Sequence, residues 1–424
     1  MVEPRMQADL FAGGDRLTMA DAIDLTVASL QAYGADHPHW GIAYSGGKDS
    51  SATLTLIMHL IKSGQIAAPR SLTVYYADTR MELLPLAIAA QDVMARLREL
   101  NVDVRVVRAP LDKRFLVYIL GRGVPPPNNN TFRWCTRQIK IDPMHAALAE
   151  QLGHIDGPAL MITGVRQGES AIRDRRIEMS CGKDGAECGQ GWYQQVLPDA
   201  AGLRGRLATL APLLHWRVCH IWDWLTFYAP SREYGGWATR PIADAYGGDE
   251  AQEINARTGC VGCPLAQRDA ALDAVIGNPR WSYLSPLKGL RPIYRELRAP
   301  RARLKKTGLT EDGSLASGKN KQRMGPLTFE ARLDALARIL AIQAECNAAA
   351  DRLGRPRVDM LDSEEETRIR ELIALGTWPK GWEGNEPTAD TPLDTIYRDG
   401  SVQPLLPPAS PRTPMAMASW SRGR

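Results

Sequence analysis

Trp40-Gly41-Ile42-Ala43-Tyr44-Ser45-Gly46-Gly47-Lys48-Asp49-Ser50 is the stretch that decides the fold. Residues 40–44 form a short apolar run of strand character, a glycine turn follows, and a helix is expected over residues 50–63. Gly64 then stands where a helix C-cap belongs. Two glycines at a strand end let backbone amides converge on an anion. The helix N-terminus adds positive potential, and Lys48 adds a point charge. The spacing from glycine to lysine is too short for the other common phosphate loop, with four residues between its glycines. A tight glycine turn without a ligand is the plainer alternative; strand, loop and helix in this order speak against it.

Working outward, further strands are expected over residues 72–76, 102–107, 159–163 and 207–216, with a helix over 83–100. Alternating strands and helices imply an α/β fold with a doubly wound, mostly parallel, five-stranded sheet. Apolar helix residues such as Leu54, Met58 and Ile61 are read as core. Pro125 to Asn130 reads as a loop, and a Trp-rich helix follows the fifth strand at Ile221, Trp222 and Leu225. An amphipathic pattern over 327–353 indicates a smaller C-terminal helical part. The organisation expected is a helical lead-in over 1–35, the main domain over 36–285, a basic linker or surface over 286–325, a helical unit over 326–383 and a disordered tail over 384–424.

The chain has 424 residues, 44% hydrophobic and 24% charged, which excludes global disorder and suits a soluble globular protein. No apolar run is long enough for a membrane span and no export signal heads the sequence, so a cytoplasmic location without a membrane partner is expected. In a reducing compartment the seven cysteines are better read as metal ligands or reactive thiols than as disulfides. The net charge of +4 conceals a concentration: residues 288–323 hold eleven basic and three acidic residues, a local +8. Such density suits a polyanionic backbone. A solvated linker is the alternative.

The Ser45 to Ser50 loop resembles that of the PP-loop ATP pyrophosphatases, a family of adenine nucleotide alpha hydrolase-like fold. The resemblance implies that Ser45, Gly46, Gly47, Lys48, Asp49 and Ser50 hold the pyrophosphate end of ATP, and that Asp78, after the second strand, lies near the nucleotide and Mg²⁺. Asp78 as a helix N-cap is the other reading. Two segments narrow the likeness. Arg133-Trp134-Cys135-Thr136-Arg137-Gln138-Ile139-Lys140 is similar to a Cys-containing segment of sulfonucleotide reductases, and closer to the Trp-Cys-Thr segment of DNA phosphorothioation sulfurtransferases. Gly164-Val165-Arg166-Gln167-Gly168-Glu169-Ser170, with Arg173 and Arg175, is similar to an element of the same group. Guanidinium groups at a strand end suit phosphate oxygens. Lys48, Asp49 and Arg166 are the candidate catalytic residues; Lys140, Gly164, Glu169 and Arg173 join the nucleotide site.

Cys260-Val261-Gly262-Cys263-Pro264 presents two thiolates on one turn. Iron–sulfur clusters usually take four cysteines, and the resemblance adds Cys135 to this pair, with Cys188 expected as the fourth and Cys181 and Cys219 behind it. A structural zinc on Cys181, Cys188, Cys260 and Cys263, or a redox dithiol at Cys260 and Cys263, are the alternatives. Cluster-free reductases carry a nucleophilic cysteine near the C-terminus within Glu-Cys-Gly. Here Glu345-Cys346-Asn347 sits inside a helical pattern, which reads as an inert helix residue. The resemblance thus implies an ATP pyrophosphatase with ATP, Mg²⁺ and a 4Fe-4S cluster, acting on DNA in phosphorothioate modification beside a cysteine desulfurase and other phosphorothioation components. Sulfonucleotide reduction and tRNA thiolation are the rival functions.

Overall fold

Strand β1 (His39–Tyr44) lies at the middle of the sheet, with Trp40, Ile42 and Tyr44 all buried, as expected of a strand covered on both faces. The computed structural model describes residues 6–7, 16–128, 132–168, 171–180, 191–194, 203, 205–246 and 259–405. Helix α1 (Met19–Gly34) precedes β1, closed by a reciprocal Thr18–Asp21 capping box. It is anchored by Trp216, whose indole Nε1 donates to Ala22 O and Thr26 Oγ1. After β1 come helix α2 (Lys48–Lys62), strand β2 (Ser71–Asp78), helix α3 (Leu84–Glu99) and strand β3 (Asp103–Arg108). Helix α4 (Asp142–Gly153) then leads to strand β4 (Ala159–Ile162), followed by β5 (Trp192–Gln194) and β6 (Leu207–Ala211).

The sheet has six strands in the order β3-β2-β1-β4-β6-β5. Ile42 faces Val74 on one side and Ile162 on the other, and all pairs are parallel except β5 with β6. The α/β doubly wound fold therefore stands, and the strand count is corrected from five to six. The added strand β5 has three residues, too few for an alternating pattern to register. The strand expected over 207–216 stops at Ala211, where the chain turns. Winding runs outward from β1 through β2 to β3, then returns to β4 on the opposite side of β1. The carboxyl ends of β1 and β4 thus flank the topological switch point, where open sheets form a ligand crevice.

The C-terminal helices α5 (Phe329–Leu353) and α6 (Ser363–Ala374) pack back onto this frame. Arg332 of α5 is fully buried, donates to the carbonyls of Gly121, Leu327 and Thr377, and lies between the Phe329 and Trp378 rings. With no carboxylate beside it among the described residues, burial pushes its guanidinium down to about 9. Around the N-terminus of α6, Asp362, Glu364 and Glu365 pair with Arg80 and Arg114, and Arg368 pairs with Asp112. The C-terminal part is thereby tied to the loop that follows β2.

Two regional expectations change. Residues 286–325, expected as a basic linker or surface, contain helix Leu290–Glu296 and strand Arg303–Lys305, which pairs with Met324–Leu327. Part of the presumed tail is ordered as well. Glu386 pairs with Lys306, and the hairpin of Thr395–Ile396 with Val402–Gln403 is held by Gln322, while residues 406–424 lie outside the described residues. Hydrophobic periodicity fails here because polar and backbone contacts carry the packing. No helix among the described residues is long and apolar enough to cross a membrane.

Candidate active site

Helix α2 begins at the switch point without a side-chain cap, because its N-cap is Gly47. Helices α1, α5 and α6, by contrast, start on Thr18, Thr328 and Asp362, whose side chains accept from the first turn. An uncapped first turn leaves amide donors for an anion. Gly46 makes the turn with φ +72°, and a Cβ there would stand 3.0 Å from that of Ala90. Ser50 Oγ donates to Gly47 O and accepts from Ser45 N, which ties the loop to the helix it opens.

Two buried cations meet one carboxylate at this loop. Lys48 Nζ donates to Asp49 Oδ2 at 2.9 Å, and Arg166 Nε, from the segment after β4, donates to Asp49 Oδ1 at 2.6 Å. Lys48 is 2% exposed and Arg166 3%, against 15% for Asp49. The carboxylate thus occupies the position between two desolvated cations that a phosphate would also favour. Lys48 Nζ also stands 5.1 Å above the Tyr246 ring, and the Lys48 amide donates to the Tyr246 hydroxyl at 3.3 Å. Gly164 explains how the β4 segment comes so close. A Cβ there would lie 2.8 Å from Asp49 C and Ser50 N, both backbone atoms that cannot swing away. Gly164→Ala should therefore lower stability by about 1–3 kcal/mol through overpacking and weaken nucleotide binding at least tenfold, read by thermal unfolding and isothermal titration with ATP.

Asp78 does not cap α3, whose N-cap is Leu83. It accepts from Arg108 Nε at 2.9 Å and from the Arg80 amide at 2.9 Å, so it braces the β2 loop. Within that loop Glu82 is held by Thr79, whose hydroxyl and amide both donate to Glu82 Oε1. Burial raises the Glu82 carboxyl above the usual range. A cavity of about 470 Å³ opens beside the loop, bordered by Asp78, Glu82 and Val261.

The same loop reaches the cysteines, since the Val261 amide donates to Met81 O at 2.7 Å. Gly262 turns the Cys260–Cys263 segment at φ +61°, where a Cβ would meet Leu290 Cβ at 2.7 Å. Arg298 and Arg291 donate to the carbonyls of Pro264, Ala266 and Gln267 just beyond it. Cys135 sits in the turn Trp134–Thr136, where the Trp134 ring stacks on Phe115 and its Nε1 donates to Pro125 O. Burial raises the thiol of Cys135, with Cys263 adding to it. Burial pushes Cys260 up to about 11, opposed by Lys140 and reinforced by Glu82, Cys263 and Cys135. The three cysteines predicted to act together are therefore within electrostatic reach of one another.

These residues fit a thiolate-bound metal by their chemistry. Beside the thiols the buried Tyr294 hydroxyl has no hydrogen-bond partner among the described residues, and after burial its largest influences are Cys260 and Cys263. Among the described residues no three Cys, His, Asp or Glu side chains close into a metal-binding group. Cys181 and Cys188 lie outside the described residues, as does Glu169; of Arg173, only the backbone is described. Cys219 is exposed on helix Val218–Asp223, Cys346 is fully buried in α5, and His220 is packed, accepting from Arg217 N. Tyr246, Glu82, Arg108 and Tyr294 were not anticipated. Of these, only Glu82 had a legible signal, the Thr-x-x-Glu spacing from Thr79.

Comparison with known proteins bears on residues 39–228, which match the family model described as the phosphoadenosine phosphosulfate reductase domain. No curated protein matches the chain. Among solved structures, the phosphoadenylyl-sulfate reductase from Candida auris, in a phosphate complex, shares 11% identity over 50% of this chain and 87% of its own, with a TM-score of 0.31. The U34-tRNA thiolase NcsA from Methanococcus maripaludis, with its [4Fe-4S] cluster, shares 13% over 68% of this chain and 85% of its own, with a TM-score of 0.33. Likeness at this level transfers no residue roles. The stretch matched by the family model contains the β1 loop, Cys135 and Arg166.

Proposed function

We propose that this protein is an ATP pyrophosphatase that activates a DNA backbone phosphate for sulfur incorporation. One observation supports the reading most directly: an uncapped helix start with Lys48, Asp49 and Arg166 lies at the sheet's switch point, and the β2 loop links that edge to Cys260 and Cys263. ATP would bind with its phosphates on residues 45–50. The bond between the α-phosphorus and the α,β-bridging oxygen breaks, pyrophosphate leaves, and a non-bridging oxygen of the DNA phosphodiester takes AMP. A sulfur nucleophile then displaces AMP. Lys48 and Arg166 bind and neutralise the phosphate charge once it takes the place of Asp49 between them, a preorganised electrostatic contribution.

Mg²⁺, when bound with ATP, would offset phosphate charge and draw most of its ligands from phosphate and water. Cys135, Cys260 and Cys263 would hold a 4Fe-4S cluster, which supplies thiolate-iron chemistry for handling sulfur. A cysteine desulfurase is the partner that would deliver the sulfur, alongside other phosphorothioation components.

The rival reading, a sulfonucleotide reductase, is favoured by the family model that matches residues 39–228. Against its cluster-free form stands Cys346, the last cysteine of the chain, which is buried within α5 and available to no substrate. Purified protein with ATP and Mg²⁺ should release pyrophosphate faster with DNA than with tRNA. Sulfite formed from adenylyl sulfate and a thiol, without DNA-stimulated pyrophosphate, would establish the reductase instead.

A further inference from the structure

A second cavity, of about 670 Å³, lies behind the Cys135 turn, and no Asp or Glu among the described residues lines it. Four cations border it: Arg298, Arg303, Arg323 and Lys380. Two of them are half-buried and lack any carboxylate partner among the described residues. Arg303 spends Nε and one Nη on the single carbonyl of Gly325, at 2.8 and 2.6 Å. Arg298 donates to Pro264 O at 2.9 Å, and its Nε is buried without a hydrogen-bond partner among the described residues. Desolvation lowers both guanidinium groups, Arg303 to about 10. Cations kept out of water without a counter-charge are costly unless an anion joins them.

Three aromatic side chains, Tyr118, Phe132 and Trp382, also line it, among prolines, Val124 and Met324. Phe132 is 40% exposed at the rim. Trp382 forms another wall, with Lys306 Nζ at 4.8 Å and Arg323 Cζ at 5.6 Å over its ring. Tyr118 lies edge-on to Trp134 at 4.7 Å, so one aromatic layer separates the cavity from the turn carrying Cys135. The volume far exceeds that of a phosphate alone and falls within the range of small-molecule sites. Rings beside cations match a base joined to its phosphates. A concave pocket reaches a base only after it has left the stack.

We propose that this cavity receives one unstacked nucleotide of a nucleic-acid strand, its base against Phe132 and Trp382 and its phosphates against Arg298, Arg303, Arg323 and Lys380. Naming that strand as the acceptor rests on the function proposed above; the binding itself does not. The site would bring a backbone phosphate near the turn carrying Cys135, where Tyr118 meets Trp134.

Fluorescence anisotropy with a labelled single-stranded oligonucleotide, the corresponding duplex and free AMP tests this. Arg323 and Lys380 make no ion pairs among the described residues, so Arg323→Glu with Lys380→Glu should fold normally. It should weaken single-strand binding at least tenfold and reduce the salt slope by about 1.4, for two phosphates at about 0.7 each. Phe132→Ala should weaken it by about fivefold or more through lost stacking. Unchanged binding in both variants, or duplex bound as tightly as single strand, overturns the proposal. AMP bound with the same sensitivity, and no oligonucleotide bound, makes it a mononucleotide site and also overturns it. Pyrophosphate release without nucleic acid should be unchanged in the double variant. Wild-type protein that binds the strand but releases no pyrophosphate refutes the ATP reading and supports the pocket; the reverse pair of results refutes the pocket alone.

Discussion

Lys48→Ala and Arg166→Ala should each reduce DNA-stimulated pyrophosphate release by about two to three orders of magnitude, the loss typical of removing one preorganised donor from a charge-stabilising site. The expectation comes from burial. Both cations are almost wholly shielded from solvent, so each acts in a medium where its attraction for phosphate is little screened. Asp49→Asn separates this role from a structural one. It removes the carboxylate that Lys48 and Arg166 share, and breaking a buried ion pair costs about 3–5 kcal/mol. Added pyrophosphate should restore part of the lost melting temperature, because an anion then occupies the vacated position. Thermal unfolding with and without pyrophosphate, beside a pyrophosphate-release assay, reads all three variants. Lys48→Ala protein with wild-type turnover would remove the β1 loop from the mechanism.

Replacing Cys135, Cys260 and Cys263 together by Ser should abolish bound iron and sulfur incorporation while leaving pyrophosphate release within about threefold of wild type. The division follows from geometry. The Val261–Met81 hydrogen bond ties the Cys260–Cys263 turn to the β2 loop, and the hydrogen bonds of Lys48 and Arg166 with Asp49 involve none of the three cysteines. Serine hydroxyls are poor ligands for iron, which takes thiolates in such clusters. Anaerobic purification, iron and zinc analysis and visible absorption provide the readout. Iron content untouched by the triple substitution overturns the ligand assignment; colourless wild-type protein with stoichiometric zinc identifies the site as structural.

Much of the frame was legible because it is local. The apolar run at 40–44, the glycine turn and the helix after it each follow from neighbouring residues, and the structure places β1, the loop and α2 in that order. Gly164 was singled out by motif alone, and its reason is the backbone of Asp49 lying where a methyl would go. The resemblance assigns Asp78 to the nucleotide, and the structure adds Arg108 as a partner that no local pattern announces. Strand β3, which brings that arginine, lies 30 residues further on. The basic stretch was read by charge density. Its roles diverge once folded: Arg291 and Arg298 hold the segment after Cys263, Lys306 pairs with Glu386, and Arg323 faces the aromatic cavity.

The sequence by itself determined the glycine turn between a strand and a helix and the α/β alternation, since each depends on residue types at short fixed spacing. Only the tertiary structure decided that Arg166 reaches Asp49 across 117 positions and that Cys135 senses Cys263. It likewise decided that Arg303, Arg323 and Trp382 enclose one cavity with Phe132. The physical reason is the winding of the sheet. Parallel strands deliver all their carboxyl ends to one edge, so residues far apart in the chain become neighbours there, and no local pattern records which ones meet.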